Sequence, residues 1–444
     1  MEKEQIISII YEWQNSILQI GGVARKYENE LLSVIGSKPI KIVTGFRRSG
    51  KSFLLQRLLK SLVNDKKVKL ENVLYLNFED FRLTTINSSE KLAHIYSTFT
   101  ELIASGGDVI VALDEIQNVN NWDKFVRTLY EKKSTSKNNI EIILTGSNSE
   151  LLSSEIGTNL SGRFIEFFIL PFSFSEYLYY LNIEEINSEQ KYYRNNEKIK
   201  KLFYAYIKYG GLPEHFSITN EKAKYSYLEG VLNKVILDDV IKRFNVKNAE
   251  LVEKVLQYQM SCIGNIVSYS RIKNYISELG YDIKQDTIVN YVRYFLKSFA
   301  LYEVGKFDWK AKRVFSGSKK YYSIDTGIAN LYKGLTNNLS KLLENIVFLH
   351  LRRNNEGKNI HYFGNTKEID FIVESKKGVF TKYQVCQKLI NDNEQRELSA
   401  FLDLDKYLIK GKNFILTLDD EEKEINFKGI KIQKKNIVKF ILGV

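Results

Sequence analysis

Eight consecutive residues, Gly45-Phe46-Arg47-Arg48-Ser49-Gly50-Lys51-Ser52, have the spacing that lets a backbone close around phosphate. The glycines let main-chain N–H groups turn inward, and a helix starting at the end of the loop adds partial positive charge. Lys51 is expected to reach the β- and γ-phosphates of a nucleoside triphosphate, and Ser52 to hold Mg²⁺. Gly45, Arg47, Arg48, Ser49, Gly50, Lys51 and Ser52 therefore form the candidate nucleotide-binding set. Further on, the apolar run 109–113 closes on Asp114-Glu115. Two carboxylates ending a buried strand are unfavourable unless a cation meets them. Asp114 is the expected Mg²⁺ ligand, and Glu115 the group that orients and deprotonates an attacking water. A third strand, 141–145, ends at Gly146-Ser147-Asn148, where Asn148 would sense a γ-phosphate or position water. Arg163 follows in Leu160-Ser161-Gly162-Arg163. It would serve as an arginine finger, in cis or from a neighbouring subunit, or else as half of a surface ion pair.

These residues need a rigid frame. Apolar strand patterns at 40–44, 73–78, 109–113, 140–145 and 164–170 alternate with helical patterns, which predicts an α/β domain with a parallel sheet. An amphipathic helical segment covers 1–38, and the nucleotide-binding core 39–170. Residues 171–248 are helical and tyrosine-rich, and read as a helical lid. Gly210-Gly211-Leu212-Pro213 interrupts them as a hinge or tight turn. Three helices and a β-hairpin are expected over 249–325, and mixed α/β structure over 326–444, with strands near 360–363, 368–373 and 380–386.

With 444 residues the chain exceeds one hydrophobic core, so several domains are expected. Its 44% hydrophobic and 27% charged residues are those of a globular protein. No apolar stretch is long enough to cross a bilayer, and the first residues do not read as a signal peptide. Two distant cysteines, Cys262 and Cys386, fit a reducing cytoplasm rather than a disulfide framework. The four histidines are scattered, so no zinc site is expected. The 65 Lys and Arg against 53 Asp and Glu give a net charge of +12. That fits phosphate-rich partners, or simply lysines spread over solvated faces.

Taken in order, the motifs resemble one family, the prokaryotic AAA-type ATPases with a C-terminal domain related to restriction endonucleases. The resemblance rests on the phosphate loop, Leu113-Asp114-Glu115-Ile116-Gln117, Leu144-Thr145-Gly146-Ser147-Asn148 and Ser161-Gly162-Arg163. It continues through Leu170-Pro171-Phe172-Ser173-Phe174-Ser175-Glu176-Tyr177-Leu178, Gly210-Gly211-Leu212-Pro213 and residues 239–243. Tyr322-Ser323-Ile324-Asp325-Thr326-Gly327, Glu344-Asn345, Glu368-Ile369-Asp370-Phe371, Tyr383-Gln384-Val385-Cys386 and Arg396-Glu397 complete it. It implies an ATPase core, a winged-helix domain and a nuclease-like fold, with ATP rather than GTP as the nucleotide.

Residues 249–325 read independently as a winged helix, a helix–turn–helix followed by a hairpin with its tip at Ser316-Gly317-Ser318. Arg293 and Lys297 on the second helix, with Lys310, Lys312, Arg313, Lys319 and Lys320 on the hairpin, are the expected contacts to duplex DNA, mainly non-specific. A protein partner is the other use of such a module. In the C-terminal domain, Glu344, Asp370 and Gln384 stand where a restriction-endonuclease-like site keeps its Mg²⁺ ligands. The usual lysine position holds Cys386, and Lys388 lies two residues on. Glu374-Ser375-Lys376 has similar spacing but should fall in a hairpin turn. The domain thus reads as a degraded nuclease. The expected function is a cytoplasmic, Mg²⁺-dependent ATPase switch. The alternatives are an ATP-dependent nuclease of a defence or mobile-element system, and a non-hydrolysing ATP-binding scaffold. A finger role for Arg163 in trans would require a homo-oligomer.

Overall fold

The computed structural model describes residues 1–135, 138–147, 160–308, 313–314, 319–333, 335–354, 360–364, 367–376, 378–405 and 410–444. These form two compact units, Met1–Leu170 and Pro171–Val444. Among the described residues no helix is long and apolar enough to cross a membrane.

The first unit is built on five parallel strands, β1 (Ile40–Gly45), β2 (Val73–Asn77), β3 (Val109–Asp114), β4 (Ile140–Gly146) and β5 (Phe164–Ile169). Their order is β2-β3-β4-β1-β5. Alternating side chains feed two separate cores, as the pleat of a strand buried on both faces requires. Val109, Val111 and Leu113 of β3 join one core with Ile140, Ile142 and Leu144 of β4. Ile110, Ala112 and Ile143 join the other. Helices α1 (Lys3–Gln19), α2 (Lys26–Leu32), α3 (Lys51–Asn64), α4 (Ser89–Leu102) and α5 (Trp122–Thr135) cover the sheet. The segment 1–38 is part of this unit and not a separate body. Ile6, Ile9 and Ile10 of α1 pack into one core, and Ile17, Tyr27 and Leu31 into the other.

The second unit begins with four helices, α6 (Phe174–Tyr180), α7 (Glu189–Arg194), α8 (Asn196–Tyr209) and α9 (Glu221–Lys234). Ser173 and Glu176 form a reciprocal cap at the start of α6. The run Val235–Lys242 continues α9 with π-helical turns. Gly210-Gly211 is a packed junction rather than a hinge. The Gly211 N–H donates to Asp325 Oδ2 at 2.6 Å, and the Gly211 carbonyl accepts from Phe172 N at 2.8 Å. A Cβ at Gly211 would meet the Phe172 carbonyl oxygen at 2.2 Å. Next to it, buried His215 lies with Nε2 3.1 Å from the Gly210 carbonyl oxygen, which requires a proton on Nε2.

Burial lowers the His215 pKa from its ordinary 6.5 to about 4. As pH falls from 6.5 towards 4, the unfolded chain takes up a proton at this ring and the folded chain does not. Stability present above 6.5 is therefore lost across that window, by about 3 kcal/mol. His215→Gln should flatten this part of the stability profile, measured by urea unfolding at pH 7 and pH 4.5. A profile with the wild-type slope would rule out this assignment.

Helices α10 (Ala249–Ser261), α11 (Tyr269–Glu278) and α12 (Gln285–Lys297) follow. A three-stranded antiparallel sheet of β6 (Ile266–Val267), β7 (Leu301–Val304) and β10 (Lys319–Ser323) has order β6-β10-β7. The small pair β8 (Phe307–Asp308) and β9 (Arg313–Val314) lies between them in sequence. After α13 (Thr326–Lys333) and α14 (Leu335–Asn354) comes a six-stranded sheet. Its strands are β11 (Ile360–Phe363), β12 (Ile369–Lys376), β13 (Val379–Val385), β14 (Asn413–Thr417), β15 (Lys423–Phe427) and β16 (Ile430–Asn436). The sheet is mixed, in order β11-β12-β13-β14-β16-β15: β13, β14 and β16 run parallel and the outer pairs antiparallel. Helices α15 (Asn391–Asp405) and α16 (Ile437–Leu442) complete the chain.

Candidate nucleotide site

Parallel strands bring all their C-terminal ends to one edge of a sheet, and the strand-order reversal beside β1 opens a crevice there. β1 ends in Gly45, where the turn Phe46–Gly50 begins. A Cβ at Gly45 would stand 2.3 Å from the Ile169 carbonyl oxygen, because Gly45 is paired with Ile169 of β5. Gly50 has φ 95° and caps α3, a conformation that suits glycine. Gly45→Ala should therefore cost about 3 kcal/mol of stability, since backbone opposes the new methyl. A urea midpoint equal to that of wild type would contradict this reading.

Lys51 opens α3 and is only 4% exposed. Its ammonium lies 3.2 Å from the Phe46 carbonyl oxygen and 3.3 Å from Glu115 Oε1. The Ser52 hydroxyl hydrogen-bonds Asp114. Asp114, fully buried at the end of β3, also accepts from the Thr145 hydroxyl of β4 and from the Tyr75 hydroxyl of β2, the latter at 2.8 Å. Burial, with Glu115 alongside, raises the Asp114 pKa against these hydrogen bonds. Such a carboxylate has a strong demand for a cation. Glu115 follows with φ 55° and ψ 44°, and its N–H donates to Thr145 Oγ1 at 3.0 Å. Burial opposes its charge, but Lys51, Gln117 and Arg47 outweigh burial and hold it below the ordinary glutamate range. At the working pH Glu115 is thus an anion, the state a proton acceptor needs.

Two buried polar atoms here have no hydrogen-bond partner among the described residues, Ser49 Oγ and Gln117 Oε1. The orphaned Ser49 hydroxyl, beside Gly45 in the turn, suits a polar, phosphate-bearing ligand. Arg47 pairs with Glu79 at 2.5 Å, and Arg48 is exposed with φ 65°.

Residues 37–178 match the model of an AAA domain, and residues 200–339 that of a domain of unknown function, DUF8612. The uncharacterized protein MJ1544 of Methanocaldococcus jannaschii is 31% identical over 417 residues, which are 91% of this chain and 88% of the relative. The chain belongs to the MJ1544 family. An uncharacterized protein of Haemophilus influenzae is 29% identical over 390 residues, covering 87% of this chain and 93% of the relative. Among solved structures, the Walker-type ATPase PABY2304 of Pyrococcus abyssi aligns with 16% identity over 71% of this chain and 99% of its own, at a TM-score of 0.43. In this member of the MJ1544 family the phosphate loop, Asp114, Glu115 and Thr145 all fall inside the AAA domain.

Not every expected residue reaches the site. Asn148 lies outside the described residues. Arg163 sits at the start of β5, beside Ile40, and so at the edge of the sheet opposite the phosphate loop. There it pairs with Glu131 at 3.7 Å and faces the Tyr130 ring. The expectation of a finger acting in cis is corrected by this placement. Three contributors were not foreseen. Arg25, 5% exposed, donates to the Ser49 carbonyl oxygen at 3.1 Å and to that of Leu170 at 2.9 Å, bracing the loop from outside. Tyr75 and Thr145 hold Asp114. Only Thr145, a polar residue in an apolar strand, left a trace in the sequence.

Among the expected nucleic-acid contacts, Arg293 is exposed and Lys297 half-buried on α12, with its ammonium 5.3 Å from the Phe244 ring centre. Lys310 and Lys312 lie outside the described residues, and Arg313 is placed only as part of β9. Lys319 is paired with Glu303. Lys320 corrects the expectation outright: it is 0% exposed and points into the protein, not towards solvent. Its ammonium meets Glu344 Oε1 at 2.8 Å, Asp370 Oδ1 at 3.0 Å and Glu368 Oε1 at 2.5 Å. Burial works against its charge, but Glu344, Tyr322, Asp370 and Glu368 outweigh burial and keep it a cation.

Two of the residues expected to hold a nuclease metal, Glu344 and Asp370, are therefore brought together, but around a lysine. Gln384 is turned away, its Nε2 donating to Glu397 Oε2 at 2.8 Å and its Oε1 accepting from Asp370 N at 3.3 Å. Lys388 is exposed beyond the end of β13, and burial pushes the Cys386 thiol up to about 12.

Proposed function

We propose that this chain is a Mg²⁺-dependent ATPase that works as a nucleotide-driven switch, its output passing through residues 249–325. The observation that carries the reading is the meeting of Lys51, Ser52, Asp114, Glu115 and Thr145 at one sheet edge, around a turn with orphaned polar atoms. ATP would lie against 45–52, with Lys51 reaching its terminal phosphates. Mg²⁺ would be held by Ser52 and Asp114 and would neutralise charge on the phosphates. Glu115 accepts a proton from the attacking water and keeps it in line, held in its left-handed turn by Thr145. Lys51 moves from Glu115 to phosphate when nucleotide arrives, which releases the Glu115 carboxylate for that work.

Helices α10, α11 and α12 with the sheet β6-β10-β7 have the element order of a winged helix, which supports contact with duplex DNA or with a protein. Exposed Arg293 favours phosphate contact, though the withdrawal of Lys320 makes the basic face smaller than its sequence suggests. Coupling predicts that labelled duplex DNA at low salt binds at least about fivefold differently with ATP and with ADP, read by fluorescence anisotropy. Arg293→Ala should weaken binding in both states by a similar factor. Equal affinity with ATP, with ADP and without nucleotide would sink the coupling to DNA and leave a protein as the partner.

A further inference from the structure

A nuclease-type centre implies a divalent metal held by Glu344, Asp370 and Gln384, and the side chains here do not fit one. Both oxygens of Glu344 are taken: Oε1 accepts from Lys320 and from the Tyr322 hydroxyl at 2.6 Å, and Oε2 accepts from Lys341 at 2.7 Å. Both oxygens of Asp370 are taken as well, Oδ1 by Lys320 and Oδ2 by the Val385 N–H at 2.9 Å. Gln384 spends its amide on Glu397 and Asp370. What remains at the meeting point of the carboxylates is the Lys320 ammonium.

We propose that Lys320 is the resident cation of this centre, an internal ammonium in the place of a divalent metal, and that the cluster is a metal-independent clamp joining the three-stranded sheet to the C-terminal α/β part. The covalent connections favour this. Lys320 lies on β10, the central strand, paired with Ile266 on one side and Val304 on the other. Glu344 lies on α14, Asp370 at the start of β12, and Glu368 immediately before that strand. One ammonium thus ties three elements from two sheets. A mobile ion would leave this tie dependent on metal supply, whereas a lysine makes it permanent. Buried carboxylates without a cation are strongly unfavourable, so removing Lys320 should leave a site that a divalent cation would fill. The way in exists: Glu368 is partly exposed and lines a cavity of about 550 Å³ with Gly264, Arg271 and Lys341.

The test uses the full-length protein without nucleotide and reads melting temperature in EDTA and in Mn²⁺, with Mn²⁺ binding followed by electron paramagnetic resonance. Wild type should melt at the same temperature in both, or show a shift that Asp370→Asn does not change. Lys320→Met should melt several degrees lower in EDTA, recover with Mn²⁺, and bind one additional equivalent that is lost in Lys320→Met/Asp370→Asn. A Mn²⁺-dependent rise in the wild type that Asp370→Asn abolishes overturns the proposal, because metal would then be the natural occupant. So does a folded Lys320→Met that neither loses stability nor gains Mn²⁺. Should Lys320→Met fail to fold, the wild-type comparison with Asp370→Asn still decides between ammonium and metal.

Discussion

Replacing Lys51 by alanine is expected to lower steady-state ATP turnover at least about a hundredfold, with the fold intact. Lys51 is 4% exposed and sits between the Phe46 carbonyl and Glu115, from where its ammonium would reach the terminal phosphates. Its charge would meet charge that grows in the transition state inside a water-poor crevice, where one such contact contributes roughly 3 kcal/mol or more. The variant also removes the ammonium that pairs with Glu115. The rate should fall without a matching loss of melting temperature. A drop of less than about tenfold, measured by phosphate release, would mean that Lys51 holds structure rather than phosphate.

Glu115→Gln should separate binding from chemistry. Glutamine keeps the shape and the acceptor oxygen but cannot take a proton, so turnover should drop by roughly 10² to 10⁴ while ATP affinity stays within a few-fold of wild type. In the nucleotide-free chain Lys51, Gln117 and Arg47 hold the Glu115 pKa below the ordinary glutamate range against burial. Asp114→Asn should behave differently. It removes the carboxylate that burial has left in need of a cation, so nucleotide binding itself should lose its Mg²⁺ dependence. Binding of a fluorescent ATP analogue, alongside phosphate release, distinguishes the two variants. If Glu115→Gln loses binding and turnover together, Glu115 is part of the nucleotide cradle and not the proton acceptor.

The first unit was legible because local signals agree with one another. A strand, a glycine-bounded turn and a helix succeed each other in sequence, and the apolar runs 109–113 and 140–145 announce strands buried on both faces. Long-range partners left no such signal. Arg25 lies within the segment 1–38 that reads simply as amphipathic helix, yet it reaches Leu170 across the fold. Lys41 lies near the start of β1 with no exposure, and nothing local says that Glu141 waits on β4. Arg163 follows a glycine turn as a finger would, but the direction of β5 sends it to the far edge. Lys320 is the clearest case. Its neighbours Lys319 and Lys310 made it look like part of a basic surface, whereas strand alternation turns it inward and Lys319 outward. Only the fold reveals that three carboxylates, on α14, on β12 and immediately before β12, converge there.

ATP hydrolysis is assigned to the edge of the first sheet. Its most direct test is phosphate release from ATP by the wild-type chain at low salt, with Mg²⁺ and with EDTA, each with and without duplex DNA. Release is expected to require Mg²⁺ and to rise when DNA is present. A rate no different from that of Lys51→Ala under all four conditions would contradict it.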